Sequence, residues 1–152
     1  MIHSPKNKKV ILFDGMCNLC NNTVLKVIRF DTKNNFVFCA LQSEVGEKIV
    51  QNLKIDLLKM DSILLYEPPG EYRFKTTAIL KIMNAFGGWW NLTQVCWIVP
   101  PFLRNLIYDF IAKNRYKWFG KRESCMLPTP ELEERFLTTI NFQKFTLEKN
   151  TI

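Results

Sequence analysis

Two short stretches, Val10 to Phe13 (VILF) and Phe36 to Leu41 (FVFCAL), are apolar at every position, and the segment between them repeats apolar residues every three or four. Unbroken apolarity of this kind is expected of strands covered on both faces. Asp14-Gly15 closes the first run as a turn, after which Cys17, Cys20, Val24, Val27 and Ile28 share one face of a helix reaching about Phe30, ahead of Asp31 and an Asn34-Asn35 turn. The unit reads as strand, helix, parallel strand, with the second strand expected at the centre of the sheet.

Downstream, Ser43 predicts a helix cap, with Val45, Ile49 and Leu53 following four apart and Gly46 standing where a capping box would carry an acid. Ser62 to Tyr66 reads as a strand, Glu67-Pro68-Pro69-Gly70 as a turn, and Glu71 to Lys75 as its antiparallel partner at a sheet edge, Tyr72 and Phe74 alternating with Arg73 and Lys75. Thr77 is the expected cap of a helix carrying Ile79, Ile82, Met83 and Phe86 and ended by Gly87-Gly88. The order is β-α-β-α-β-β-α, an α/β sandwich of thioredoxin-like order over residues 10–88. It places Cys17 and Cys20 where the first strand hands over to the first helix, the end of the sheet at which α/β proteins keep their sites.

A helical extension is expected over about 89–137. Pro101 opens its main helix, Leu103, Leu106, Ile107, Phe110 and Ile111 share one face, Gly120 ends it, and a last short helix starts at Thr129-Pro130-Glu131 with Leu132, Phe136 and Leu137. The tail, 138–152, is expected to be loosely held from about Asn141. The extension's uncharged run, Gly87 to Leu103, is broken by Asn91, Thr93, Gln94 and two prolines, so no membrane span is expected.

With 152 residues, 47% of them hydrophobic, one folded domain is expected. The N-terminal MIHSPKNKK leads into only four apolar residues, which points to a cytoplasmic protein. The net charge of +7 gathers at Lys6, Lys8 and Lys9 and over 104–122, where Arg104, Lys113, Arg115, Lys117, Lys121 and Arg122 face only Asp109 and alternate with Tyr108, Tyr116, Trp118 and Phe119. The plainer reading is a solvated helix face whose aromatics are core. The alternative is a non-catalytic binding module that meets a membrane surface, nucleic acid or protein; among these, peripheral membrane contact stays open and nucleic acid is the least favoured.

The pair in "FDGMCNLC" admits three readings: redox site, half of a metal site, or two buried neighbours. A dithiol enzyme needs one thiolate that attacks at neutral pH and a second thiol that displaces the resulting mixed disulfide. Cys17 at the first turn is the expected nucleophile, because free amides and the helix dipole favour its anion; Cys20, one turn deeper, is the expected buried resolving thiol. Asp14 has two candidate roles, accepting the proton of Cys20 or bonding the amides of its own turn. A zinc site would need two further ligands, whereas His3, Cys39, Cys96 and Cys125 are isolated, so neither metal nor cofactor is expected. Of these cysteines, only Cys125, in an expected loop, is a candidate for exchange with the pair.

"ILFDGMCNLC", with Asp14, Cys17 and Cys20, closely resembles the signature of the DCC family of predicted thiol-disulfide oxidoreductases. "KNRYKWFG" (Lys113 to Gly120) and "SCMLPTPELEERFL" (Ser124 to Leu137) are similar to that family's C-terminal half. The resemblance implies a thioredoxin-like fold, a dithiol/disulfide function with Asp14, Cys17 and Cys20 as its site, and a thiol or disulfide substrate, protein-borne or small. The chain departs from better-known thioredoxins in lacking a cis-proline before the third strand, a position that falls near Met60-Asp61-Ser62.

Overall fold

The computed structural model describes residues 8–56, 62–67, 71–124 and 129–138. Its elements follow the expected order: β1 (Lys9–Phe13), α1 (Asn18–Phe30), β2 (Phe36–Ala40), α2 (Glu44–Asn52), β3 (Leu64–Glu67), β4 (Glu71–Phe74) and α3 (Lys75–Phe86). A 3-10 helix (Gly88–Ile98), α4 (Pro101–Phe119) and a single 3-10 turn (Glu133–Arg135) complete it. The strands form one mixed sheet in the order β2-β1-β3-β4. β1 runs parallel to β2, opposing Ile11 to Phe38, and antiparallel to β3, opposing Ile11 to Leu65; β3 and β4 form the expected hairpin. This is a thioredoxin-like α/β arrangement.

Alternate residues along the strands feed two cores, because successive side chains point to opposite faces. Val10, Leu12, Val37, Cys39, Leu64 and Tyr66 meet Val45, Ile49 and Val50 of α2. Ile11, Phe13, Phe36, Phe38 and Leu65 meet Val24 and Val27 of α1 and Ala78 and Ile82 of α3. Full burial of each large apolar side chain contributes about 1.5–3 kcal/mol, which makes these two layers the main stabilising term.

β2 is an end strand rather than a central one. It is nonetheless buried at every position, because the chain returns along its free edge: Phe38 bridges to Phe136, and the Leu137 amide donates to the Phe38 carbonyl at 2.8 Å. Phe136 and Leu137 thus serve as an edge cover, and the helix expected from Thr129 contracts to the turn Glu133–Arg135. Arg135 is tied in by an ion pair to Asp31 at 2.7 Å, while Asp31 also accepts from the amides of Asn35 and Phe36.

Ser43 caps α2 as expected, accepting from the Gly46 amide at 3.0 Å. A side chain at Gly46 would place its Cβ 2.2 Å from the Ala40 carbonyl oxygen, so packing of α2 against β2, not capping, selects glycine there. Thr77 is not the cap of α3. The helix starts directly from β4 with Phe74 at the cap position and no side-chain cap, and Thr76 instead bonds Asn105 of α4 at 2.6 Å.

Pro101 opens α4 and Gly120 ends it, as expected. The orientation of the helix overturns the expectation for Trp118, Phe119 and the apolar face, whereas Tyr108 and Tyr116 do face inward. Arg104 and Arg115 are buried, whereas Phe102, Leu103, Leu106, Ile107, Phe110 and Trp118 are exposed. No single described helix is long and apolar enough to cross a membrane; the pair Gly88–Ile98 and Pro101–Phe119 meets at a bend of 111°. The expectations for Cys125, His3, the Pro68-Pro69-Gly70 turn and the tail from Asn141 lie outside the described residues.

Candidate active site

The β1–α1 junction brings Asp14, Cys17 and Cys20 together. Cys17 occupies the cap position of α1 with extended backbone (φ −92°, ψ 122°), and its Sγ accepts from the Cys20 amide at 3.4 Å. A sulfur in this position takes the place of the usual Ser or Asp cap, facing the free amides of the first turn. No acidic residue stands in that turn to oppose a negative charge. Cys20 follows one turn later, and neither thiol is in a disulfide.

The burial of the two thiols inverts the sequence expectation. Cys17 is fully buried, while Cys20 is half-buried. What covers Cys17 is the chain after α4. Lys121 forms an isolated bridge with Cys17, and the Arg122 amide donates to the Met16 carbonyl at 2.7 Å. Asn18 fastens the same strap: its Nδ2 donates to the Phe119 carbonyl at 2.9 Å, and its Oδ1 accepts from Arg122 Nε at 2.8 Å. Gly120 lets the strap turn away from α4 with φ 83°, a left-handed conformation natural to glycine.

Asp14 is also buried, and both its oxygens are occupied. Oδ1 accepts from the Met16 amide at 3.0 Å and from Gln42 Nε2 at 2.7 Å; Oδ2 accepts from Arg115 at 3.0 Å and from the Tyr116 hydroxyl. The amide of Gly15 in turn donates to Gln42 Oε1 at 3.0 Å, so Gln42 locks the Asp-Gly turn from the β2–α2 side. Of the two roles open to Asp14, the turn bond is observed.

These surroundings set the protonation of the site. Burial, then the hydrogen bond with Cys17 and electrostatic repulsion from it, push the Cys20 thiol from 9.0 up to about 12, against the lowering effect of Arg115. Burial and the bond to Asp14 hold the Tyr116 hydroxyl protonated, raising it to about 12. Burial works against the charge of Arg115, yet Cys20, Tyr116 and Asp14 outweigh it and raise its pKa. The result is a cation beside the dithiol that stays charged at all ordinary pH.

A cavity of about 210 Å³ opens beside Cys20, with mostly apolar walls that include Phe13, Thr23, Ser62, Tyr108 and Arg115. Its neighbour of about 140 Å³ shares Thr23, Ile63 and Ile79 with it and ends against Phe86 and Trp90. Tyr108 accepts from the Ile63 amide at 3.0 Å, pinning the start of β3 to α4. Ser62, the described residue nearest the expected cis-proline position, is thus part of the Cys20 wall. Cys39 is buried in β2 and Cys96 is exposed on the 3-10 helix, both away from the pair. Among the described residues, no three His, Cys, Asp or Glu side chains are grouped to hold a metal ion.

A family model for DCC1-like thiol-disulfide oxidoreductases matches residues 11–121. The chain belongs to that family. The matched span runs from β1 to the strap over Cys17, so it takes in both cysteines, Asp14 and all of its partners. The chain is 42% identical to protein YuxK of Bacillus subtilis over 129 residues, 85% of this chain and 93% of that protein. It is 36% identical to a chloroplastic DCC family protein of Arabidopsis thaliana over 121 residues, 79% of this chain and 70% of that one. No solved structure matches the chain. Membership in the DCC1-like family supports a redox role.

Gln42, Tyr108, Arg115 and Tyr116 were not among the site residues expected from sequence. "RYKWFG" was the available signal for Arg115 and Tyr116, since a basic segment set against a CxxC favours its thiolate. Nothing in the sequence marks Gln42, which reaches the site only because β2 lies beside β1.

Proposed function

We propose that the protein is a thiol-disulfide oxidoreductase in which Cys17 is the nucleophile, Cys20 the resolving thiol and Asp14 the organiser of the turn that leads into Cys17. The observation that carries this reading is the difference between the two sulfurs: one caps a helix and accepts an amide hydrogen, while the other is held protonated up to about 12. Cys20 is therefore poorly suited to attack first, and the helix-capping sulfur of Cys17 takes that role.

In the reducing direction, the Cys17 thiolate attacks one sulfur of a substrate disulfide. A Cys17–substrate bond forms, the substrate S–S bond breaks, and the first substrate sulfur leaves as a thiolate. Cys20 then attacks Cys17 Sγ, giving an internal Cys17–Cys20 disulfide and releasing the second substrate sulfur. The dithiol is oxidised by two electrons, the substrate disulfide is reduced, and the Cys20 proton ends on a departing thiolate. The reverse sequence oxidises a substrate dithiol. Asp14, with both oxygens engaged, is better suited to holding Arg115 and the turn in place than to taking a proton.

The substrate is a thiol or disulfide, and the cavity beside Cys20 favours a small or apolar moiety next to that sulfur. A cytoplasmic location, in which thiols are kept reduced, suits a dithiol that acts in its reduced form. Equilibration with mixtures of reduced and oxidised glutathione, followed by mass-spectrometric mapping, tests the reaction. A reversible Cys17–Cys20 disulfide that disappears in Cys17→Ser and Cys20→Ser is expected. Pairing only with Cys39, Cys96 or Cys125, or no exchange at all, contradicts it.

A further inference from the structure

α4 is amphipathic with its faces inverted. Its inner face is polar: Asn105 meets Thr76, Tyr108 meets the Ile63 amide, and Arg115 and Tyr116 meet Asp14. Its outer face carries exposed Phe102, Leu106, Ile107 and Phe110, and the preceding 3-10 helix adds exposed Trp89, Leu92, Val95 and Ile98. Helices of globular domains bury their apolar stripe; apolar side chains turned outward in this number mark a docking face.

We propose that this outward face, formed by Gly88–Ile98 and Pro101–Phe119, docks onto the surface of an anionic membrane. Charge decides the occupant. From Gly88 to Arg122 the only acidic residue is Asp109, which is neutralised by Lys75 at 2.7 Å. Exposed Lys113 and Lys117 continue the outward face beyond Phe110. A second copy docking on this face would bring together two chains that each carry a net charge of +7. Anionic headgroups complement the two lysines, while exposed Trp89 and Trp118 suit the headgroup–acyl boundary that indole rings favour.

Geometry decides the mode. The 11-residue 3-10 helix is about 22 Å long, and the 111° bend stops it from extending α4 into one straight rod. The two elements lie on a surface as a bent wedge and do not cross it. The 3-10 helix is anchored from behind: Trp90 packs on Phe30 and Phe86 at 5.0 and 5.5 Å between ring centroids, and Gln94 donates to the Leu80 carbonyl at 3.1 Å. Because Arg115 and Tyr116 project from the opposite side of α4, a docked protein carries its dithiol about one helix diameter, ~10 Å, behind the contact surface.

Flotation with vesicles of phosphatidylcholine and phosphatidylglycerol in equal parts, read with tryptophan emission, tests the docking. Binding that weakens as salt rises, with a blue shift of emission, is expected. Lys113→Gln with Lys117→Gln should weaken it about thirtyfold, at about 1 kcal/mol per charge. Leu106→Glu with Ile107→Glu should abolish it while leaving circular dichroism unchanged, because both side chains are exposed. Loss of both Cys17 and Cys20 should leave binding intact, which separates this inference from the redox reading. No binding at low salt, or binding indifferent to Leu106→Glu and Ile107→Glu, overturns it. So does a concentration-dependent dimer, abolished by the same variants, in protein that ignores vesicles.

Discussion

Arg115 reaches Asp14 at 3.0 Å from 101 positions further along the chain, joining the inner face of α4 to the turn that presents the two cysteines. Both side chains are more than nine-tenths buried. Removing one partner of such a pair leaves an uncompensated buried charge. Arg115→Leu should therefore destabilise the protein by about 3–5 kcal/mol, measured by urea unfolding. Asp14→Asn combined with Arg115→Leu should recover part of that loss. A cost under about 1 kcal/mol for Arg115→Leu would show that the pair does not hold the site.

The strap over Cys17 hangs on Asn18, a half-buried residue with two exposed side-chain bonds to Phe119 and Arg122. Asn18→Ala should cost no more than about 1 kcal/mol, since exposed hydrogen bonds contribute little net stability. Alkylation of Cys17 by iodoacetamide should nevertheless rise severalfold as the strap loosens. An unchanged rate would mean that reagents reach Cys17 by another route.

Gly46→Ala puts a methyl group into the Ala40 carbonyl, and backbone on both sides leaves little room to relax. A loss of about 1–3 kcal/mol is expected, visible as a lower Tm with the redox behaviour retained. A neutral Gly46→Ala would show that α2 lies further from β2 than described.

Alkaline pH should unfold the reduced protein through Cys20. Its folded pKa, about 12, stands above the ordinary 9.0, so between these values the native state holds a proton that the unfolded state releases. The contribution is complete below pH 9.0 and is lost as pH climbs toward about 12. Cys20→Ala should flatten the fall in stability across that window when chemical unfolding is repeated at each pH. An identical slope in the variant would remove Cys20 as its source.

Much of this arrangement was legible in the residues themselves. The apolar runs at Val10 and Phe36, the Ser43 cap, the hairpin and the Pro101 and Gly120 boundaries emerge where periodicity and turn chemistry put them. Full apolarity of Phe36–Ala40 signalled coverage, but periodicity does not distinguish a neighbouring strand from a returning segment, and here Phe136–Leu137 does the covering. The stripe on α4 was visible while its direction was not, because spacing defines a face without saying what it meets. At the site, proximity in sequence revealed Asp14, Cys17 and Cys20. Gln42, Arg115 and Tyr116 come from the second strand and the last long helix, where only the folded sheet brings them within reach.

The account rests on which sulfur gives up its proton first. An NMR titration of the Cβ resonances of selectively labelled cysteines, in wild type, Cys17→Ser and Cys20→Ser, follows each thiol separately. The prediction is that Cys20 stays protonated until the pH nears about 12 in the wild type and titrates at lower pH in Cys17→Ser, where the hydrogen bond and repulsion from Cys17 are gone. A first ionisation that belongs to Cys20, and persists unchanged in Cys17→Ser, would contradict it.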